Sequence, residues 1–150
     1  LLTSALASAE VRRNLLKNIP DNKLFVYGKS KEHYINVITD IDCRYCRKFH
    51  QDIPIYLENG IKVRYLVLAR KKSSRAKIIS AWCANNKNDA FTLLKNSKEI
   101  KKINCINPID EHQNLINAIG TSSTPSIFLP DGNLISGYKT PKDIIEKIRD

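Results

Sequence analysis

Between residues 4 and 18 the apolar positions Leu6, Ala9 and Leu16, continued by Ile19, fall on a rough helical stripe that Arg13 interrupts, with Ser4 placed to cap its start. Pro20 and Asp21 end it. Two extended runs follow, Leu24 to Tyr27 and Tyr34 to Thr39, and the polar turn Gly28-Lys29-Ser30-Lys31 between them predicts a hairpin or edge pair. From Cys43 the period lengthens: Cys46, Phe49, His50, Ile53 and Leu57 recur at helical intervals, with Pro54 expected to kink the helix. Residues 61 to 68 alternate apolar and basic residues, then close as Tyr65-Leu66-Val67-Leu68. That pattern suits a central strand covered on both faces at its end.

A helical block comes next, over Ser73 to Asn85, Lys87 to Asn96 and Asp110 to Ile119. Ser126 to Leu129, the turn Pro130-Asp131-Gly132-Asn133, and Leu134 to Gly137 predict a β-hairpin. Pro141 opens a last helix whose Ile144, Ile145 and Ile148 face inward. Strands and helices mix without an internal repeat or a dividing linker, so one α/β sheet domain is expected.

Composition narrows the classes. The chain has 150 residues, 42% of them hydrophobic, with five Gly, six Pro and four Cys, which excludes collagen, low-complexity disorder and dense disulfide scaffolds. No apolar run approaches the roughly 18 residues of a membrane helix. The absence of Met leads us to expect a processed mature protein or a fragment, for which an export signal would lie outside the chain.

The net charge of +10 is uneven: residues 61–104 hold 12 basic side chains against Asp89 and Glu99. A nucleic-acid face through Arg70, Lys71, Lys72, Arg75, Lys77, Lys95, Lys98, Lys101 and Lys102 is one reading. A solvated helical surface is the other, and charge patterning favours it.

The chemistry concentrates at Cys43-Arg44-Tyr45-Cys46, two thiols three residues apart where a strand hands over to a helix. At a helix N-terminus the unpaired N–H groups and the macrodipole favour a thiolate at Cys43, and Arg44, Arg47 and Lys48 are expected to add to that pull. Asp42 opposes it, unless its carboxylate is occupied as the helix cap. Cys46, one turn inward, is placed to resolve a mixed disulfide.

Other chemistries share this spacing. Haem attachment requires His after the second Cys, where Arg47 stands. Zinc could draw on Cys43, Cys46 and His50, but Cys83 and Cys105 supply no second knuckle. No metal is therefore expected, and His50 reads as a partly buried helix residue. Cys83 and Cys105 are either a staple around the helical block or two free thiols. Pro125, after a turn-rich stretch and before a strand, could take either peptide isomer.

Thr39-Asp40-Ile41-Asp42-Cys43-Arg44-Tyr45-Cys46-Arg47-Lys48-Phe49-His50, with Val63-Arg64-Tyr65-Leu66, Ala81-Trp82-Cys83-Ala84, Cys105, Thr124-Pro125, Asp131-Gly132 and Gly137-Tyr138, resembles the catalytic domain of the DsbC/DsbG family of bacterial periplasmic thiol-disulfide isomerases. The likeness spans roughly residues 24–150. It implies a thioredoxin fold with a helical insertion over residues 21–150, preceded by a linker helix over 1–20. It further implies a nucleophilic Cys43, a resolving Cys46, a Cys83–Cys105 bond and a cis Thr124-Pro125 whose backbone, with Tyr45 nearby, meets substrate. No metal or organic cofactor is needed, since the electrons sit on sulfur.

By the same likeness the partners are misoxidised envelope proteins and a membrane thiol reductase, with homodimerisation if an N-terminal dimerisation domain exists. Arg44 stands where the isomerases carry a small residue and Asp42 where they carry Thr. Arg44 is expected to lower the Cys43 pKa and shift the pair toward oxidant strength, which leaves a dithiol oxidase as an alternative. A basic, disulfide-stapled binding module without turnover is the alternative from another class.

Overall fold

A computed structural model of the chain describes residues 6–121 and 123–149. The elements are α1 (Ala9–Asn18), β1 (Phe25–Tyr27), β2 (Tyr34–Thr39), α2 (Arg44–Gln51), α3 (Ile53–Glu58), β3 (Lys62–Val67), α4 (Lys72–Trp82), α5 (Lys87–Lys95), α6 (Ile109–Ile119), β4 (Ser126–Phe128), β5 (Leu134–Ser136) and α7 (Pro141–Arg149). The strands form one sheet in the order β1-β3-β2-β4-β5. β2 and β3 run parallel, as a crossover through α2 and α3 permits, and every other pair is antiparallel.

Alternation along the strands separates two cores. Ile35 and Val37 of β2 and Val63, Tyr65 and Val67 of β3 pack with Phe49, Ile53 and Tyr56 from α2–α3, Phe91 and Leu94 from α5, and Ile144 and Ile145 from α7. Ile38 and Leu66 point the opposite way, to Leu16 of α1 and to Ile116 and Ile119 of α6. The helices therefore cover both faces of the sheet.

Three expectations are corrected here. Runs β1 and β2 form no hairpin: β3 lies between them, with Phe25 opposite Tyr65 and Tyr27 opposite Val63. The turn residues signalled only a reversal, whereas pairing was decided by β3, whose six residues are all buried and need neighbours on both edges. Residues 62–67 do form an interior strand covered on both faces, flanked by β1 and β2, while β2 takes the middle place of the five. The first helix begins at Ala9, capped by Ser8, whose Oγ accepts the Val11 N–H at 3.3 Å. Ser4 lies outside the described residues. The break near Pro54 falls at Asp52, whose N–H takes the carbonyls of Phe49 and His50. The ring of Pro54 can offer no donor to continue the first helix.

Helix α1 is tied into the same body as the sheet. Arg64, buried on β3, donates to the carbonyls of Leu16 (3.0 Å) and Ile19, to Asn36 Oδ1 (2.6 Å) and to Asp21 Oδ1 (2.8 Å), and Lys62 reaches Asp21 Oδ2 at 2.7 Å. At the other end Arg12 Nε donates to Gly132 O at 2.9 Å. A disulfide joins Cys83, at the end of α4, to Cys105 before α6.

Candidate active site

The two sulfurs of the Cys43–Cys46 pair occupy different environments. Cys43 has extended backbone (φ −85°, ψ 124°) and is itself the N-cap of α2, its sulfur accepting the Cys46 N–H at 3.4 Å. It is half-buried and its thiol reaches the Thr124 carbonyl oxygen at 3.4 Å. Cys46, one turn in, is fully buried.

Asp42 is therefore not the cap. Its carboxylate accepts the Ser74 hydroxyl instead, and its N–H donates to Asp40 Oδ1 at 3.1 Å. A sulfur at the cap leaves the preceding side chain directed away from the helix end.

Burial pushes the Cys43 thiol up, but hydrogen bonds from the Cys46 side chain, the Thr124 side chain and the backbone N–H groups of Cys46 and Tyr45 outweigh it. The net shift is downward. The helix N–H groups act as expected, whereas the contribution expected from Arg44, Arg47 and Lys48 is not among these leading causes. Arg47 Nε is spent on the Ile41 carbonyl at 2.8 Å, Arg44 lies over the Tyr45 ring at 5.9 Å, and Lys48 lies over Tyr138 at 4.7 Å. Short hydrogen bonds reach the sulfur directly, whereas exposed cations act through water. For Cys46 burial dominates and pushes the thiol up to about 11, against the opposing pull of Lys95 and of the Asp40 backbone.

Across from Cys43 the Thr124-Pro125 peptide is cis. It precedes β4, and Gly137 N donates to Pro125 O at 2.8 Å, which ties the turn to the end of β5. Arg70 bridges Thr124 Oγ1 and the buried Asp40 Oδ2, each at 2.9 Å. Tyr45 stands exposed on the rim, stacked with Tyr138 at 6.3 Å, and Tyr138 donates to Asp52 Oδ2 at 2.5 Å. The structure thus brings Cys43, Cys46 and Thr124 together, with Tyr45 beside them.

His50 is turned to other tasks. Its Nδ1 meets Tyr65 Oη and its Nε2 meets Thr92 Oγ1, both at 2.8 Å. Burial, then the charge of Lys95, hold its pKa down at about 3, so the ring is neutral. Both nitrogens are committed, and no group of three His, Cys, Asp or Glu suited to a metal occurs among the described residues.

Lys95, assigned by sequence to the basic surface, is buried to 2% exposure. Its ammonium donates to Thr39 Oγ1 and to Asp40 O (3.2 Å), at the end of β2 that leads into the cysteine pair. The usable signal was its place one residue after Leu94 and four after Phe91, on the apolar stripe of α5. With Lys62 and Arg64 also buried, part of the basic excess lies inside the protein, not on a nucleic-acid face.

A sheet of this order, with a cysteine pair opening the first crossover helix opposite a cis-proline, agrees with the family comparison: residues 20–150 match the thioredoxin-like domain. The chain belongs to the thioredoxin-like family. Within it, this thioredoxin-fold domain is closely related to the bacterial DsbC/DsbG thiol-disulfide isomerases. It is 35% identical over 133 residues to the thiol:disulfide interchange protein DsbC of Escherichia coli K12, covering 86% of this chain and 56% of that protein. The DsbC of Salmonella typhimurium is 36% identical over 131 residues, covering 85% of this chain and 55% of that protein. The chain thus spans about half the length of the curated relatives it matches.

Among solved structures, a disulfide interchange protein from Neisseria gonorrhoeae superposes with a TM-score of 0.76 at 20% identity, covering 87% of this chain and 96% of that one. Proteus mirabilis ScsC in a compact conformation gives 0.71 at 16%, covering 98% and 81%. At those identities the agreement concerns the fold.

Proposed function

We propose that this chain is the catalytic part of a thiol-disulfide oxidoreductase, acting as a protein disulfide isomerase on misoxidised proteins of the cell envelope. The observation that carries the reading is the Cys43 sulfur, reachable from solvent at the start of α2, its thiolate favoured by hydrogen bonds and facing the Thr124 carbonyl. The Cys43 thiolate attacks one sulfur of a substrate disulfide. A Cys43–substrate bond forms and the other substrate sulfur leaves as a thiolate.

That freed thiolate can then attack elsewhere in the substrate, so that disulfides rearrange with no net change in oxidation. Alternatively, Cys46 displaces the substrate from Cys43. The Cys43–Cys46 pair is then oxidised by two electrons, which the substrate keeps as two thiols.

Thr124 and Pro125 are assigned to holding an extended substrate segment by backbone pairing, with Tyr45 at its edge. Periplasmic location, re-reduction by a membrane thiol reductase and dimerisation through a further N-terminal domain, with residues 1–20 as its connection, belong to the same proposal. They rest on the DsbC relatives.

The test is Cys43→Ser. It abolishes reactivation of scrambled ribonuclease and reduction of insulin, while Cys46→Ser still forms mixed disulfides and retains them. Full activity in Cys43→Ser overturns the assignment. Salt-dependent retention of nucleic acid that survives Cys43→Ser would instead support a binding module. A redox titration of the pair against glutathione separates isomerase from oxidase.

A further inference from the structure

Burying a lysine ammonium carries a desolvation penalty of several kcal/mol unless an anion offsets it. Among the described residues Lys95 has no anion in contact, and the Asp40 carboxylate acts on it only from beyond ion-pair distance. Its ammonium donates to two uncharged oxygens, Thr39 Oγ1 and the Asp40 carbonyl, and lies 5.4 Å and 5.3 Å from the ring centres of Tyr65 and Phe91. Among the described residues no carboxylate lies within 4.0 Å of it, and the buried Asp40 carboxylate pairs with Arg70.

The groups around Lys95 come from several elements. Cys43, Cys46, Arg47 and His50 belong to α2 and its cap, Thr39 and Asp40 to the end of β2, and Tyr65 to β3. Phe91 lies on its own helix. Of these, only the two cysteines change charge during thiol exchange at neutral pH.

We infer that Lys95 is a positioning residue for the Cys43–Cys46 pair, a buried cation that the distant Asp40 carboxylate offsets at all times and a cysteine thiolate offsets further only while the pair is reduced. The inference rests on the oxidoreductase reading above. The Asp40 backbone links the two groups, since its carbonyl accepts from Lys95 while a backbone hydrogen bond from the same residue lowers Cys46. The influence runs both ways: Lys95 opposes the burial that pushes Cys46 up, and Cys46, then Asp40 and Cys43, oppose the burial that brings Lys95 down to about 8.

The step served is release. Cys46 gives its proton to water, its thiolate attacks Cys43 Sγ, the Cys43–Cys46 bond forms, and the Cys43–substrate bond breaks. The substrate sulfur departs as a thiolate and is protonated by water. A cation acting on Cys46 lowers the cost of the first event. It also favours the reduced pair over the neutral disulfide, which makes the pair a stronger oxidant.

Lys95→Met keeps the length and apolar stem of the side chain and removes the charge. In equilibrium with glutathione at pH 7.5, where Cys46 is still a thiol and the Cys43 thiolate carries the effect, the variant pair shifts toward the disulfide by up to about tenfold, the ceiling that one pKa unit of coupling sets. The difference from wild type narrows as pH falls and thiols replace thiolates, a pattern that a merely structural role does not produce.

A second measurement needs no variant. The Lys95 side-chain nitrogen resonance in wild-type protein titrates at higher pH in the reduced than in the oxidised form. A glutathione equilibrium unchanged by Lys95→Met at every pH, or a Lys95 titration indifferent to the redox state, overturns the inference. If wild-type protein exchanges with glutathione not at all, it is the oxidoreductase reading that fails.

Discussion

Gly132 supports α1 at its N-terminal end, and Gly132→Ala tests whether that helix is part of the folded body. Gly132 has φ +89°, and a Cβ there would lie 2.0 Å from the Ala9 carbonyl oxygen, 2.9 Å from its carbon and 3.0 Å from Arg13 N. All three atoms are backbone, so no side chain can swing aside and the turn and helix must part. The left-handed conformation alone costs a non-glycine residue about 1–2 kcal/mol. Separation also weakens the buried Arg12–Gly132 hydrogen bond, and such bonds to a charged group contribute about 1.5–3 kcal/mol.

The Arg64 bonds to the Leu16 and Ile19 carbonyls lie at the far end of α1 and can survive. The expected loss is therefore about 2.5–5 kcal/mol, the sum of those two contributions. Urea unfolding followed by circular dichroism measures the loss, and amide exchange locates it, with Val11 to Asn14 losing protection before β2 and β3. A loss under about 1 kcal/mol with α1 protection unchanged refutes the close approach, since the conformational cost of Ala at such a φ alone reaches that value.

Two further outcomes follow from the same contacts. Replacing Cys83 and Cys105 together by Ser opens a loop of sequence separation 22 and costs about 3 kcal/mol by the chain-entropy relation. Wild-type protein under a reductant strong enough to open this bond should show a matching fall in its urea midpoint, and an unchanged midpoint would contradict the staple. Asp21 supplies a pH signature. Burial pushes its carboxyl up, but Lys62 and Arg64 prevail and hold it below the ordinary 3.8. Its contribution is therefore complete above that value and lost as pH falls through the lower folded pKa. The stability gap between wild type and Asp21→Asn should be widest above pH 4 and close below it; a gap constant from pH 6 to pH 2 would exclude the ion pairs.

The amino-acid order alone revealed what depends on near neighbours. The period of Phe49, His50, Ile53 and Leu57 placed α2 and α3, the turn Pro130 to Asn133 placed the β4–β5 hairpin, and three-residue spacing at the head of a helix singled out Cys43 and Cys46. Those features are readable because side-chain direction repeats every 3.6 residues in a helix and every two in a strand. Strand partners, the identity of the cap and the depth of a charge involve residues far apart in the chain. β1 chose β3 over the adjacent β2 because β3 had an edge to fill, and Cys43 displaced Asp42 as cap because its sulfur faces the helix end. The cis form of Thr124-Pro125 was implied by family likeness and not by its own residues, since the two isomers differ by about 1 kcal/mol until packing selects one. Lys95 is the sharpest case. Its letter denotes a solvated cation, but the packing of α5 against the end of β2 buried it on Thr39 and Asp40, a depth set by partners far away in the chain.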